Sequence, residues 1–340
     1  MIVRVCAFTR EGWDFAHKLE EKLEHILFEK KEENKDLDLW VGECFQWGVP
    51  ILFIGAISIA VRKIAPFVNS KLTDSPVVVV DEKGQYSIPL LSNHVGGANG
   101  LAKQIANAVD GQLVLTTATD VKGVFSVDVF AQKNGLKIVN KEGIKKVSSK
   151  LLAEGKISMA IHPTIAFDEK AVPENIKLMD FQENHVDVRI DYPGLESAEE
   201  ETLKLLYKPY VLGIGCKKET PYEKISSFID EILVGNQIDE SLITGMASID
   251  LKSKERGLLY YEAKKRIPFT TFTAKELEEV EGDFRASDFV KSITGVSNVC
   301  ERAAMKLAGK EAELVVRKIA KDGITMAISR RKAKLQAWKM

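Results

Sequence analysis

Leu90-Leu91-Ser92-Asn93-His94-Val95-Gly96-Gly97-Ala98-Asn99 is the stretch that decides how this chain is read. Before it, Tyr86 to Leu91 has the pattern of a strand. After it, Ala98 to Val109 carries apolar residues at helical spacing, and Val109-Asp110-Gly111 ends the run. A strand passing through a polar, glycine-rich turn into a helix is the repeating unit of a layered α/β domain. The turn holds a histidine, two amides and a hydroxyl ahead of the first backbone donors of a helix. Such donors carry partial positive charge and suit an anion. A strand at Leu113 to Leu115 follows, then a second polar turn, Thr116-Thr117-Ala118-Thr119-Asp120.

Working outward, Ile2 to Phe8 reads as a buried strand and Glu11 to Lys30 as one long amphipathic helix. Leu37 to Val41 and Ile51 to Ile54 read as strands, and a helix through Ala60 and Ile64 closes before Pro66. Val77 to Val80 is β-branched, meets the turn Asp81-Glu82-Lys83-Gly84, and returns as Tyr86 to Leu91 in a hairpin. From Val127 the pattern changes. Helices are expected at Val127 to Lys133 and Lys141 to Glu154, and strands at Ile157 to Ile161, Ile176 to Met179 and Val186 to Ile190. This stretch carries no chemical cluster in sequence, and His162 and His185 each stand alone.

Lys208-Pro209-Tyr210 marks a joint. Beyond it, Val211 to Ile214, Ala247 to Leu251, Phe269 to Phe272, Leu314 to Ile319 and Ile324 to Ile328 read as strands. Lys254 to Arg266 and Asn298 to Leu307 read as helices, and Pro221 opens another. The expected fold is α/β: two α/β domains, 1–126 and 209–340, flanking a small α+β middle module, 127–208.

Composition narrows the function. The 340 residues suit two or three domains. With 48 Lys and Arg against 49 Asp and Glu, charge gives no argument for nucleic acid or a membrane surface. Cys6, Cys44, Cys216 and Cys300 are scattered, as reduced thiols are, and leave no zinc spacing. The most apolar region, Gln46 to Val61, is broken by Gly48, Pro50 and Gly55 and falls short of the roughly 20 residues of a membrane span. The expected location is the cytoplasm. Walker-A and HExxH patterns are absent, and Gly213-Ile214-Gly215 lacks the third glycine of a dinucleotide fingerprint, Lys218 standing there.

Four stretches resemble the cobalt-precorrin-5A hydrolases of the CbiG type in cobalamin biosynthesis. They are GAISIAVRKIAP (Gly55 to Pro66), VVVVDEKGQYSIPLLSNHVGGAN (Val77 to Asn99), TTATDVKG (Thr116 to Gly123) and a C-terminal pair, Gly213 to Lys217 with GVSNVCE (Gly295 to Glu301). The order HVGGAN then TTATD is the specific part. One position departs from the family pattern: Asn93 stands where glycine is usual before the histidine. The resemblance implies a hydrolase of the anaerobic route that opens the δ-lactone of cobalt-precorrin-5A and releases acetaldehyde, leaving cobalt-precorrin-5B. It implies a cobalt-containing tetrapyrrole as substrate, with the cobalt carried by that substrate and no cofactor or metal site of the protein's own, and neighbouring pathway enzymes as partners. The alternative is a tetrapyrrole carrier of the same pathway without chemistry.

Lactone opening needs an activated water and a stabilised oxyanion. His94 is the expected general base, since an imidazole titrates near pH ~6.5, and Asp120 orients it or acts in its place. Gly96 and Gly97 let backbone donors approach the substrate, together with Ser92, Asn93 and Asn99. Thr116, Thr117 and Thr119 add hydroxyls, and Arg62 suits a peripheral carboxylate. Cys216, Ser297 and Glu301 join the substrate-binding set through the resemblance. Each has a structural reading beside the chemical one. His94 can hold its own loop, Thr117 to Asp120 can cap a helix, the cysteines can be buried fillers, and Ser297 reads as the N-cap of the Asn298 helix.

Overall fold

The computed structural model describes residues 1–70, 73–94, 96–117, 124–194, 201–285, 292 and 294–338. It is an α/β protein with three sheets. Its chain falls into two compact units: Met1–Thr116 with Lys217–Ser227 and Leu251–Phe269, and Thr117–Cys216 with Phe228–Asp250 and Thr270–Met340.

In the first unit the elements are β1 (Ile2–Ala7), α1 (Arg10–Lys22), β2 (Leu27–Lys30), α2 (Leu37–Trp47), β3 (Ile51–Ile54), α3 (Ile57–Ile64), β4 (Val77–Val80), β5 (Tyr86–Leu91), α4 (Ala98–Val109) and β6 (Gln112–Leu113). The sheet order is β2-β1-β3-β4-β5-β6. β5 alone runs antiparallel to its neighbour β4, through the expected hairpin, and β6 is parallel to β5. Alternation along the strands supplies both faces. Val3, Val5, Leu52, Ile54, Val78 and Val80 meet Phe15 and Leu19 of α1 and Leu101 and Ile105 of α4. Cys6, Ile51, Phe53, Val77 and Val79 meet Trp40, Val41 and Cys44 of α2 and Ala60 and Ile64 of α3. Because both faces are covered, β3 and β4 are buried at every position and read as unbroken apolar runs.

Two expectations fail here. Leu37 to Val41 is not a strand but the start of α2. The Asp36 carboxylate accepts the N–H groups of Asp38 (2.9 Å) and Leu39 (3.0 Å) and so nucleates a helix that buries Trp40, Val41 and Cys44. Those two bonds, Leu39 first, also hold Asp36 below the usual carboxylate range. The long helix Glu11 to Lys30 stops at Lys22, and Leu27–Lys30 becomes β2. It pairs with the outer edge of β1, Ile2↔Leu27 to Val5↔Lys30, and so satisfies backbone groups that would otherwise be exposed.

Beyond α7 (Tyr222–Gly235), the same unit takes in α8 (Arg256–Lys265) from much later in the chain. Leu259 packs with Ile2 and Val49. Tyr260 accepts from Arg4 Nη2 (2.8 Å) and donates to Glu29 Oε2 (2.7 Å), and Arg256 also pairs with Glu29.

The second unit contains α5 (Val127–Lys133), β7 (Leu136–Ile138), α6 (Glu142–Glu154), β8 (Ile157–Ile161), β9 (Ile176–Met179), β10 (Val188–Asp191) and β11 (Leu203–Tyr207). Their sheet has the order β7-β11-β10-β8-β9, parallel except for β7. The short β7 and the buried β11 are strands the sequence reading passed over. The third sheet orders β14 (Phe269–Phe272), β13 (Ile243–Ile249), β12 (Tyr210–Cys216), β16 (Ile324–Arg330) and β15 (Glu313–Lys321). After the short α9 (Ala274–Glu278), α10 (Val299–Ala308) lies against it. A Cβ on Gly213 of β12 would stand 1.8 Å from the carbonyl oxygen of Cys300, so that glycine serves close helix–strand approach and not a nucleotide.

Among the described residues no helix is long and apolar enough to cross a membrane, and no three His, Cys, Asp or Glu side chains gather as metal ligands.

Candidate active site

The turn after β5 is closed by its own backbone. Ser92 takes φ 56°, and Gly97 takes φ 90°. The carbonyls of Ser92, Asn93 and His94 accept the N–H groups of Ala98 (3.2 Å), Asn99 (3.0 Å) and Gly97 (3.0 Å). A Cβ on Gly96 would lie 2.4 Å from Ser92 Cβ and 2.7 Å from its carbonyl oxygen, so only glycine fits. Asn93 is not among the residues with positive φ; the left-handed positions are those of Ser92 and Gly97. The departure at Asn93 therefore carries no backbone strain of that kind.

One part of the sequence reading changes. The N–H groups at the start of α4, expected to face an anion, serve the turn at Gly97, Ala98 and Asn99. Gly96 and Gly100 are the residues of this turn whose N–H groups have no hydrogen bond among the described residues.

Buried Ser92 anchors the turn by donating its hydroxyl to the carbonyl of Asp74 (2.9 Å). Asp74 is buried as well, and its carboxylate accepts the N–H groups of Asn69 (3.0 Å) and Ser70 (3.0 Å). This is the loop into which α3 leads, and Arg62 is exposed on the last turn of that helix, next to Lys63, which pairs with Asp38 (2.8 Å). The second sequence turn leaves from the same end of the sheet. β6 pairs parallel with β5 through Ser87↔Leu113, so Leu91 and Thr117 each lie four residues past that pair. Thr116 is exposed. Thr117 opens the second unit. Thr119 and Asp120 lie outside the described residues.

Arg266 was missed in the sequence, where it is one more cation at a helix end. It caps α8 with φ 54° and donates Nη2 to the same Asp74 carbonyl that holds Ser92 (3.0 Å). Burial pulls its pKa down and the neighbouring Asp74 carboxylate pushes it up, with burial the larger.

The remaining candidates sit in the second unit. The N-cap of α10 is Asn298 and not Ser297: Asn298 Oδ1 accepts the Glu301 N–H (3.0 Å). Ser297 donates its N–H to Glu278 (3.2 Å). Glu301 is fully buried, and its carboxylate accepts the N–H groups of Lys318 (2.7 Å) and Arg285 (3.0 Å) and the amide of Asn298 (2.7 Å). Those bonds tie β15 and the 285 loop to the helix. Cys300 is buried, and burial pushes its thiol up to about 11, against its use as a nucleophile. Cys216 is half-buried at the end of β12, opposite Ile324. So the structure brings Ser92, Asn93, His94, Gly96, Gly97 and Asn99 into one turn, and Ser297 and Glu301 to one helix start.

Known proteins match the chain in two regions. The family description Cobalamin synthesis G N-terminal matches residues 39–120, and Cobalamin synthesis G C-terminus matches residues 210–329. The cobalt-precorrin-5A hydrolase of Salmonella typhimurium is 33% identical over 301 residues, which is 84% of this chain and 83% of that protein. The cobalt-precorrin-5A hydrolase of Priestia megaterium is 30% identical over 355 residues, 95% of this chain and 94% of that one. A cobalamin biosynthesis protein G homolog from Sulfolobus solfataricus of solved structure is 22% identical, covers 97% of this chain and 96% of its own, and superposes with a TM-score of 0.43. With both family descriptions matched and relatives aligned along most of their length, the chain belongs to the cobalamin synthesis G family.

Proposed function

We propose that this chain hydrolyses cobalt-precorrin-5A, opening its δ-lactone and releasing acetaldehyde. The observation that carries the reading is the closed turn at Ser92–Gly97, which holds His94 in a frame of backbone hydrogen bonds, inside a chain 33% identical to a cobalt-precorrin-5A hydrolase. In this reading His94 takes a proton from water, and the water oxygen adds to the lactone carbonyl carbon. The oxyanion that forms is met by the N–H of Gly96, a donor with no hydrogen bond among the described residues. The ring C–O bond then breaks, giving a carboxylate and a hydroxyl. In the second step the hydroxyl proton leaves to a base, and the bond between the two-carbon fragment and the macrocycle breaks. Acetaldehyde departs, and the electron pair passes to the macrocycle, which is later protonated. Cobalt arrives with the substrate and makes the ring a better electron sink. Arg62 and Arg266 suit the carboxylates of the substrate rim. Asp120 enters through the sequence motif alone.

Purified full-length chain incubated with cobalt-precorrin-5A is expected to release acetaldehyde above a protein-free control. If the substrate stays intact and no acetaldehyde forms, the hydrolase reading is wrong.

A further inference from the structure

The turn that carries His94 leaves β5 beside the start of β4, because the two strands are antiparallel and Val77 pairs with Leu91. The residues just ahead of β4, Asp74-Ser75-Pro76, are tied to three different neighbours. The Asp74 carboxylate accepts the N–H groups of Asn69 and Ser70, and the Ser75 hydroxyl donates to the carbonyl of Cys44 in α2 (2.8 Å). The Pro76 carbonyl accepts the N–H of Ile51 in β3 (2.8 Å). Asp74 and Ser75 are buried. The Asp74 carbonyl is the atom of this stretch that holds the turn.

That oxygen has two lone pairs and takes two donors. One is the hydroxyl of Ser92 (2.9 Å), which opens the turn at φ 56°. The other is Arg266 Nη2 (3.0 Å), from the residue that closes α8 at φ 54°. A bond from a guanidinium is charge-assisted and about twice as strong as a neutral one, so the arginine does more than the serine to fix where this carbonyl points. Burial works against the charge of Arg266, and the Asp74 carboxylate supports it. Arg62 is exposed, whereas Arg266 is half-buried with a nitrogen committed to backbone, so the two arginines are not equivalent.

Arg266 can act as an anchor because α8 is itself clamped within the first unit. Leu259 packs on Ile2 and Val49, and the Tyr260 hydroxyl sits between Arg4 and Glu29. A Cβ on Gly48 would stand 2.9 Å from the carbonyl oxygen of Ala263, so the end of α2 and the last turn of α8 approach closely. Lys264 donates to the carbonyl of Gln46 in α2. Ser75 from the side of α2 and Arg266 from the side of α8 thus fix one peptide unit, and Ser92 hangs the turn from its oxygen.

We propose that Arg266 is a positioning residue: through the Asp74 carbonyl and the Ser92 hydroxyl it sets the Ser92–Gly97 turn, and with it the place of His94. That this placement serves lactone opening rests on the hydrolase reading; the link from Arg266 to the turn does not. The test compares full-length wild type with Arg266→Met, Arg266→Gln and Arg266→Lys. Methionine and glutamine remove the charge. Lysine keeps a charged donor, and one donor suffices for a single bond to a carbonyl, unlike a bidentate pair.

Amide hydrogen exchange reads the turn directly. The N–H groups of Gly97, Ala98 and Asn99 close it. They are expected to exchange about tenfold faster in the two neutral variants, as loss of a charged hydrogen bond predicts, and near the wild-type rate with lysine. A merely structural role would quicken the amides of α8 and leave those of the turn alone. With cobalt-precorrin-5A, kcat is expected to fall about tenfold to a hundredfold in the neutral variants while KM stays within about threefold, since a displaced catalytic group costs turnover and not binding. Lysine should recover most of the loss. Circular dichroism excludes unfolded variants, and either folded neutral variant decides; if neither folds, Ser92→Ala cuts the same link at its other end, with the same expectations. Turn exchange unaltered in a folded variant overturns the proposal. So does a quickened turn with kcat unchanged, and so does a rise in KM alone, the mark of a substrate contact. If wild type releases no acetaldehyde while the turn still responds, the hydrolase reading falls and the link stands; release with an unresponsive turn gives the reverse.

Discussion

The turn after β5 and the carboxyl edge of the second sheet are both strand ends, and different atoms hold them. In the turn, three carbonyls close onto three N–H groups within eight residues, so the frame is backbone and the His94 side chain is carried by it. At the edge, side chains from strand ends far apart in sequence form the frame: rings meet rings, and Arg331 ties three carbonyls together. Where backbone builds the frame, the glycine is intolerant. Where side chains build it, they carry the stability of the edge.

The sharpest break of this contrast is His94→Ala. It should lower acetaldehyde release by about 10²–10⁴-fold, the usual worth of a general base, while the melting temperature stays near wild type. A collapse of stability instead would show that the turn depends on this side chain. Arg331→Met should do the opposite. Losing charged bonds to three carbonyls should cost about 3 kcal/mol in urea unfolding, and turnover by the folded fraction should persist.

A pair of glycines sharpens the backbone half. Gly96→Ala puts a Cβ 2.4 Å from Ser92 Cβ and should cost about 1–3 kcal/mol. Gly100→Ala, in α4 with nothing within 4 Å of its Cβ, should add about 0.5–1 kcal/mol. Equal effects in thermal melts would remove the argument for a closed turn.

A comparably small effect concerns Lys208, the residue after β11. Burial, then Arg331 and Lys137, push its ammonium down to about 8. A lysine depressed in the folded state costs stability while it is protonated there. The cost is full below pH 8 and fades as pH rises toward the unfolded value of 10.5. Lys208→Met should therefore stabilise by about 1 kcal/mol at pH 7, and the gain should shrink between pH 8 and 10. A gain that does not change with pH would mean packing, not charge.

The same contrast explains what could be read in the sequence. α4 and its turn were legible because period and punctuation lie within a contiguous stretch, and β4 with β5 because a hairpin is local. Leu37 to Val41 was misread because its apolar spacing fits either element, and the deciding atom is the Asp36 carboxylate outside the run. β7 and β11 were passed over because the two are short and pair across 67 to 71 residues. Within the site, His94, Gly96 and Gly97 were legible as a motif. Arg266 was not, since only folding brings it to the Asp74 carbonyl, 192 residues away. His162 looked solitary because its partners, Phe181 and Tyr192, come from other strands.

The helix carrying Leu259 and Tyr260 has a consequence for synthesis. The first unit draws on Leu251–Phe269, so its hydrophobic surface at Ile2 and Val49 stays uncovered until residue 269 has left the ribosome. Most of the chain is thus translated before the first strand acquires its last neighbours. A nascent chain stalled before Leu251 should stay open to protease at its beginning, and one stalled well past Phe269 should resist.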